Sequence, residues 1–158
     1  MTIPKRHPAG IRSGTFLVTS STWGRRDLFR VEPWAKLFLD VIYVNRKLSR
    51  YQLHAFVLMS NHFHLLLTVA SNPGLEKAVQ YIKGGFSYRA GKDLGSRMEV
   101  WQRGFDDQWI KDEAAFVQAK QYILKNPVRA RLAAKAEDYP FCSAFAGFEI
   151  DAAPQFRG

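Results

Sequence analysis

The stretch from Tyr51 to Val69, YQLHAFVLMSNHFHLLLTV, decides the architecture. Its two halves, residues 51–59 and 62–69, are dominated by apolar and aromatic side chains, and Ser60-Asn61 between them has turn chemistry. Two such runs a dipeptide apart predict a β-hairpin. Along the second strand, side chains alternate between faces. Phe63, Leu65, Leu67 and Val69 make one unbroken apolar face, which must be core. His62, His64, Leu66 and Thr68 make the other face, polar at its leading end.

Working outward, residues 14–22 (GTFLVTSST) have the β-branched and aromatic content of a strand. Helical spacing follows over residues 32–46, where Trp34, Phe38, Val41 and Ile42 recur three and four apart. Pro33 suits the first turn, which has no use for its missing N–H. Beyond the hairpin, Pro73-Gly74 ends the strand, and residues 75–91 predict a basic helix interrupted at Gly84-Gly85. Residues 100–110 (VWQRGFDDQWI) predict a fourth strand bent at Gly104. Asp112 is a natural N-cap for a helix over residues 113–125, which Pro127 should stop. The order strand-helix-strand-strand-helix-strand-helix predicts an α+β, ferredoxin-like split βαβ fold, an antiparallel sheet with helices packed on one face.

Composition bounds what such a chain can be. The 158 residues are 47% hydrophobic and 14% aromatic, enough for a real core, which excludes intrinsic disorder. With 11 glycines and 7 prolines the chain is neither collagen-like nor of low complexity. A net charge of +9 points to a polyanionic partner, the alternative being a basic surface that serves only solubility. Cys142 is the single cysteine, so no intrachain disulfide can form. No apolar run approaches the roughly 18 residues of a spanning helix. Residues 1–12 are polar and basic without the apolar middle of a signal peptide. A cytoplasmic, nucleoid-associated protein with nucleic acid and no membrane as its partner is expected.

The leading end of the second hairpin strand carries the first candidate chemistry. His62 and His64 point the same way, and two adjacent imidazoles can chelate one divalent cation. The alternative is that each ring only hydrogen-bonds a neighbour. His7 and His54 have no such company; His7 falls in the N-terminal start and His54 reads as an ordinary strand residue.

The last helix carries the second. Phe116, Ala119 and Ile123 follow core spacing, while Gln118, Tyr122 and Asn126 line up four apart on the adjacent stripe. Tyr122 could simply be a boundary tyrosine, ring buried and hydroxyl in water. As a nucleophile it faces a cost, because a phenol of pKa ~10 needs about 4 kcal/mol to ionise at pH 7. The helix dipole opposes that charge near a C-terminus. A catalytic Tyr122 therefore needs a cation, for which the sequence offers one site, at His62 and His64.

Taken together, residues 61–67 (NHFHLLL) and 122–130 (YILKNPVRA) resemble the signatures of the single-tyrosine HUH transposases of the IS200-like group, above all the REP-associated tyrosine transposases. Residues 100–105 (VWQRGF) and 138–143 (DYPFCS) also resemble that family's pattern, and the likeness runs over residues 15–144. The resemblance implies Mg²⁺ or Mn²⁺ bound by His62 and His64, with the side chain of Asn126 as a third ligand and Tyr122 as nucleophile. It implies single-stranded DNA carrying hairpins as substrate, cut through a 5′-phosphotyrosine that a second 3′-hydroxyl can reverse. REP-associated relatives suggest a monomer rather than a homodimer. A non-catalytic single-stranded nucleic-acid-binding module of the same fold is the alternative. A zinc protein is disfavoured, because a lone cysteine supplies no thiolate set.

Single-stranded DNA calls for a basic groove with aromatic faces for stacking. The candidates are Arg25 and Arg26; Lys83, Tyr88, Arg89 and Lys92; and Arg97, Trp101 and Arg103, with Trp101 equally placed to be core. Gly84-Gly85 would admit a close phosphate or merely kink its helix. Residues 1–146 form the catalytic domain of this scheme. Residues 147–158 form a tail, acidic at Glu149 and Asp151, that is either flexible or folded over the basic cleft.

Overall fold

The hairpin forms as its sequence predicts. In the computed structural model, which describes residues 10–156, β2 (Gln52–Leu58) and β3 (His62–Val69) pair antiparallel with Leu58 opposite Phe63. The remaining elements are β1 (Gly14–Ser21), α1 (Glu32–Lys47), α2 (Leu75–Leu94), β4 (Asp106–Trp109) and α3 (Glu113–Arg129), with short 3₁₀ turns between them. The four strands lie in the order β2-β3-β1-β4, and every pairing is antiparallel.

Alternation assigns the two faces. Phe16, Val18, Phe56, Phe63, Leu65 and Leu67 pack against Phe38 and Ile42 of α1 and Ile82 and Phe86 of α2. Phe63 lies at the centre, its ring 4.9 Å from Phe38 and 5.4 Å from Trp101. Phe63→Ala is expected to cost about 3–5 kcal/mol through lost burial and the cavity left behind. Chemical denaturation followed by circular dichroism checks this.

The third helix departs from expectation. α1 and α2 share one face, but α3 covers the other, where Phe116, Ala119 and Ile123 bury Ala55, Val57 and Leu66. The histidine face of β3 is polar only at its leading end; farther along, Leu66 must be covered. A bulge between Leu53 and Ala55 turns His54 to this side as well, where it meets Phe116 at 5.2 Å. His54 is fully buried and bonded to Thr68 Oγ1 at 2.7 Å, a satisfied structural residue. His7 lies outside the described residues.

Other boundaries shift for identifiable reasons. The fourth strand is only Asp106–Trp109: the chain bends at Gly104 (φ +74°), and Trp101 makes an isolated bridge to Thr22. α2 runs unbroken through Gly84-Gly85 to Gly95 (φ +68°), and a Cβ on Gly85 would sit 3.7 Å from Val41 of α1. α3 continues past Pro127 to Arg129. Proline removes one bond in the last turn, but Ala130 N–H and Leu132 N–H still reach the carbonyls of Asn126 and Pro127.

The C-terminal residues lie along the open edge of β2. Asp151 exchanges backbone and side-chain bonds with Leu53 (2.7 and 2.8 Å), Arg46 pairs with Asp151 and Glu149, and Phe148 stacks on Tyr43. The acidic residues are thus spent on Arg46, and they cover a strand edge that would otherwise be open to pairing.

Candidate active site

Strand register builds the site. β1 and β3 pair so that Thr19 stands opposite His64 and Ser21 opposite His62. Thr19 Oγ1 meets His64 Nδ1 at 2.7 Å, and Asn61 Oδ1 accepts from His62 Nδ1 at 2.8 Å. The two rings stand 5.0 Å apart, nearly perpendicular. α3 crosses this face and brings the Tyr122 ring to 5.2 Å from His64. The two motifs singled out in the sequence therefore converge.

Electrostatics keep both rings neutral. Burial pushes His64 down to about 4, and His62 beside it pushes the same way. Burial likewise lowers His62, helped by the charge of Arg25. With each Nδ1 engaged by a neighbour, each Nε2 is left without a hydrogen bond among the described residues. Asn61 Oδ1 can only accept, so the proton of a neutral His62 sits on Nδ1 and its Nε2 offers a lone pair; His64 does the same when Thr19 Oγ1 accepts from its Nδ1. This donor set fits a divalent cation. Asn126 sits one turn past Tyr122; its Nδ2 donates to the Tyr122 carbonyl at 3.0 Å, which leaves Oδ1 as a weak oxygen donor. No carboxylate joins: no cluster of three His, Cys, Asp or Glu suited to a metal occurs among the described residues.

The depressed His64 value has a sign that can be checked. An unfolded histidine titrates near 6.5, so the unfolded chain binds more protons below that pH and stability falls as pH drops towards about 4. In the presence of a chelator, this group is expected to remove about 2 kcal/mol between pH 7 and 5. Urea titrations of the wild type and of His64→Gln should show a visibly flatter pH dependence in the variant.

Two residues that sequence patterns did not single out, Thr19 and Arg129, belong to this neighbourhood, and a third, Trp23, lies in the turn that carries Arg25. Thr19 orients His64; only strand register reveals it. Arg129 places its guanidinium carbon 5.6 Å from the Tyr122 ring, and its position two turns on along the same helix was the available signal. Trp23 is an exposed aromatic (49%) just past β1 in the same short turn as Arg25.

The DNA-contact candidates separate into two groups. Tyr88, Lys92, Arg97 and Arg103 are exposed, and Arg25 is close enough to His62 to disfavour its protonation. Arg26 holds the carbonyls of Trp23 and Glu99, Lys83 bonds the carbonyls of Gln102 and Gly104, and Arg89 pairs with Asp40 and Asp93. Trp101 is a correction: its ring is core, 6% exposed, with Nε1 donating to the Lys83 carbonyl, and offers no face to a base.

Comparison with known proteins bears on the family and the fold. The family described as "Transposase IS200 like" matches residues 17–126. No curated protein matches the chain. Among solved structures, a REP-associated tyrosine transposase bound to a REP hairpin superposes with a TM-score of 0.73 at 21% identity, covering 100% of this chain and 94% of that one. A candidate transposase from Deinococcus radiodurans R1 superposes at 0.48 and 18% identity, covering 76% and 95%. No helix among the described residues is long and apolar enough to cross a membrane. With the family match extending over most of its length, the chain belongs to the IS200-like transposases, a family of DNA-processing enzymes.

Proposed function

We propose that the chain is a metal-dependent single-stranded DNA endonuclease and strand transferase that acts on hairpin-containing, REP-like DNA through Tyr122. The observation that carries this reading is the 5.2 Å approach of the Tyr122 ring to His64, whose partner His62 completes a neutral imidazole pair. Likeness in fold to a transposase bound to a REP hairpin supports the choice of substrate.

His62, His64 and the Asn126 amide oxygen are the residues to hold Mg²⁺ or Mn²⁺. Such a cation, when bound, draws charge from a non-bridging phosphate oxygen and so favours attack at phosphorus. Tyr122 Oη attacks, the bond from phosphorus to the 3′-oxygen breaks, and the strand leaves with a free 3′-hydroxyl. The phosphodiester energy stays in the 5′-phosphotyrosine, so another 3′-hydroxyl can run the step backwards and join strands without ATP. Arg129 sets positive charge beside the Tyr122 ring as the phenol loses its proton. Arg25, Tyr88, Lys92, Arg97 and Arg103 are the candidates to guide the strand. All three elements of the site come from one chain, which favours a monomer.

A labelled hairpin oligonucleotide, incubated with the protein and Mn²⁺, should leave an adduct that survives SDS, and a chelator should prevent it. Binding without any adduct would instead support the non-catalytic module.

A further inference from the structure

We propose that the cleft between α3 and the β1–β4 side of the sheet is a nucleobase site, which takes one base flanking the scissile phosphate and reads it with the amides of Gln108 and Gln118. This rests on the assignment of Tyr122 as nucleophile, and it adds a sequence-reading element to that site.

The cleft follows from how α3 packs. The helix lies mainly on β2 and β3, where Phe116 and Ile123 fill the space below it. Towards β1 and β4 it turns a different stripe, Ala115, Gln118, Ala119 and Tyr122, and the two alanines leave depth. The result is a cavity of about 340 Å³ floored by Leu17, with Thr19 and Tyr122 among its lining residues. Gln108 enters from β4, directly opposite Leu17 in the register, and Gln118 from the helix.

The chemistry of this lining suits a base. An apolar floor accepts a π-face, and stacking of that kind is indifferent to sequence. The amides are not indifferent. Each offers one donor group and one acceptor, the pattern with which glutamine recognises adenine N6 and N7. Neither side chain makes a hydrogen bond among the described residues, and both are exposed, so both can turn to a ligand. The presence of Tyr122 in the lining places an occupant of this cleft beside the phosphorus that Oη attacks. Backbone phosphates alone would be met by cations, and the cleft lining contains none.

The test uses the full chain with Mn²⁺ and a random pool of single-stranded DNA. Adducts are isolated under denaturing conditions, and the attached and released strands are sequenced. For the wild type, one base beside the cut should be enriched about tenfold, the scale of a good bidentate contact. In Gln118→Ala and in Gln108→Ala, that preference should fall to less than about twofold at this position alone, with the selected hairpin features unaltered. Wild-type preference persisting in both variants, or no preference in the wild type, overturns the base site while leaving the nucleophile standing. If the wild type yields no adduct at all, the Tyr122 assignment fails and the base site falls with it.

Discussion

Tyr122→Phe is expected to lower covalent adduct formation by at least about a thousandfold, the scale on which loss of a covalent nucleophile is felt, while hairpin affinity hardly changes. The substitution removes one oxygen from a side chain that is 39% exposed, so the fold has little reason to respond. Affinity for a charged strand comes mostly from phosphate contacts, which the phenol does not supply. Gel shift and SDS-resistant labelling, run on the same samples, separate the two quantities. An adduct that persists in Tyr122→Phe sinks the assignment and leaves Tyr81 or Tyr88 as the nucleophile. Neither is well placed: the Tyr81 ring lies 3.6 Å from the Arg50 guanidinium and Tyr88 is exposed, and both belong to α2, which packs on the sheet face opposite α3. Of these three, only Tyr122 has its ring against His64.

How much of this could be seen in the sequence depends on the range of the interaction involved. The hairpin, the caps and the core faces are local, and alternation from Phe63 to Val69 or core spacing from Phe116 to Ile123 reveals them directly. The side of the sheet that α3 covers is not local. Leu66 was visible on the histidine face, yet that it needed a helical cover emerges only when Ala55 and Val57 of the neighbouring strand share the same face. Pro127 and Gly84-Gly85 misled for a related reason. Both break helices in isolation, and here tertiary packing carries α3 and α2 through them. In the site, the residues that bear chemistry were legible by type and spacing, whereas their orienting partners were not. Thr19 is an unremarkable strand residue until register sets it against His64. Trp101 was ambiguous because aromatic residues serve cores and bases alike, and five ring contacts decide for the core only in three dimensions, those to Phe29, Phe38, Phe63, Phe86 and the cation of Lys83.

The imidazole pair makes the second large prediction, and a graded one. His64→Ala removes a proposed ligand outright and is expected to cost more than the roughly 10–100-fold that loss of an orienting partner costs a metal site. Thr19→Val keeps both imidazoles and removes only the 2.7 Å contact that holds His64. It should fall within that 10–100-fold range, and excess Mn²⁺ should recover much of the loss, since the ring can still bind once it turns. His64→Ala should not be recovered in this way. Because His64 is buried and touches Tyr122, His64→Gln, closer in volume, serves as the control for packing, with thermal melts to confirm folding. Adduct yields measured across a Mn²⁺ titration distinguish the cases: a rightward shift for Thr19→Val and a flat line for His64→Ala. If His64→Ala instead labels DNA as well as the wild type does, and in the presence of chelator, then the imidazoles are structural and the phenol must be activated by Arg129 or by the DNA itself.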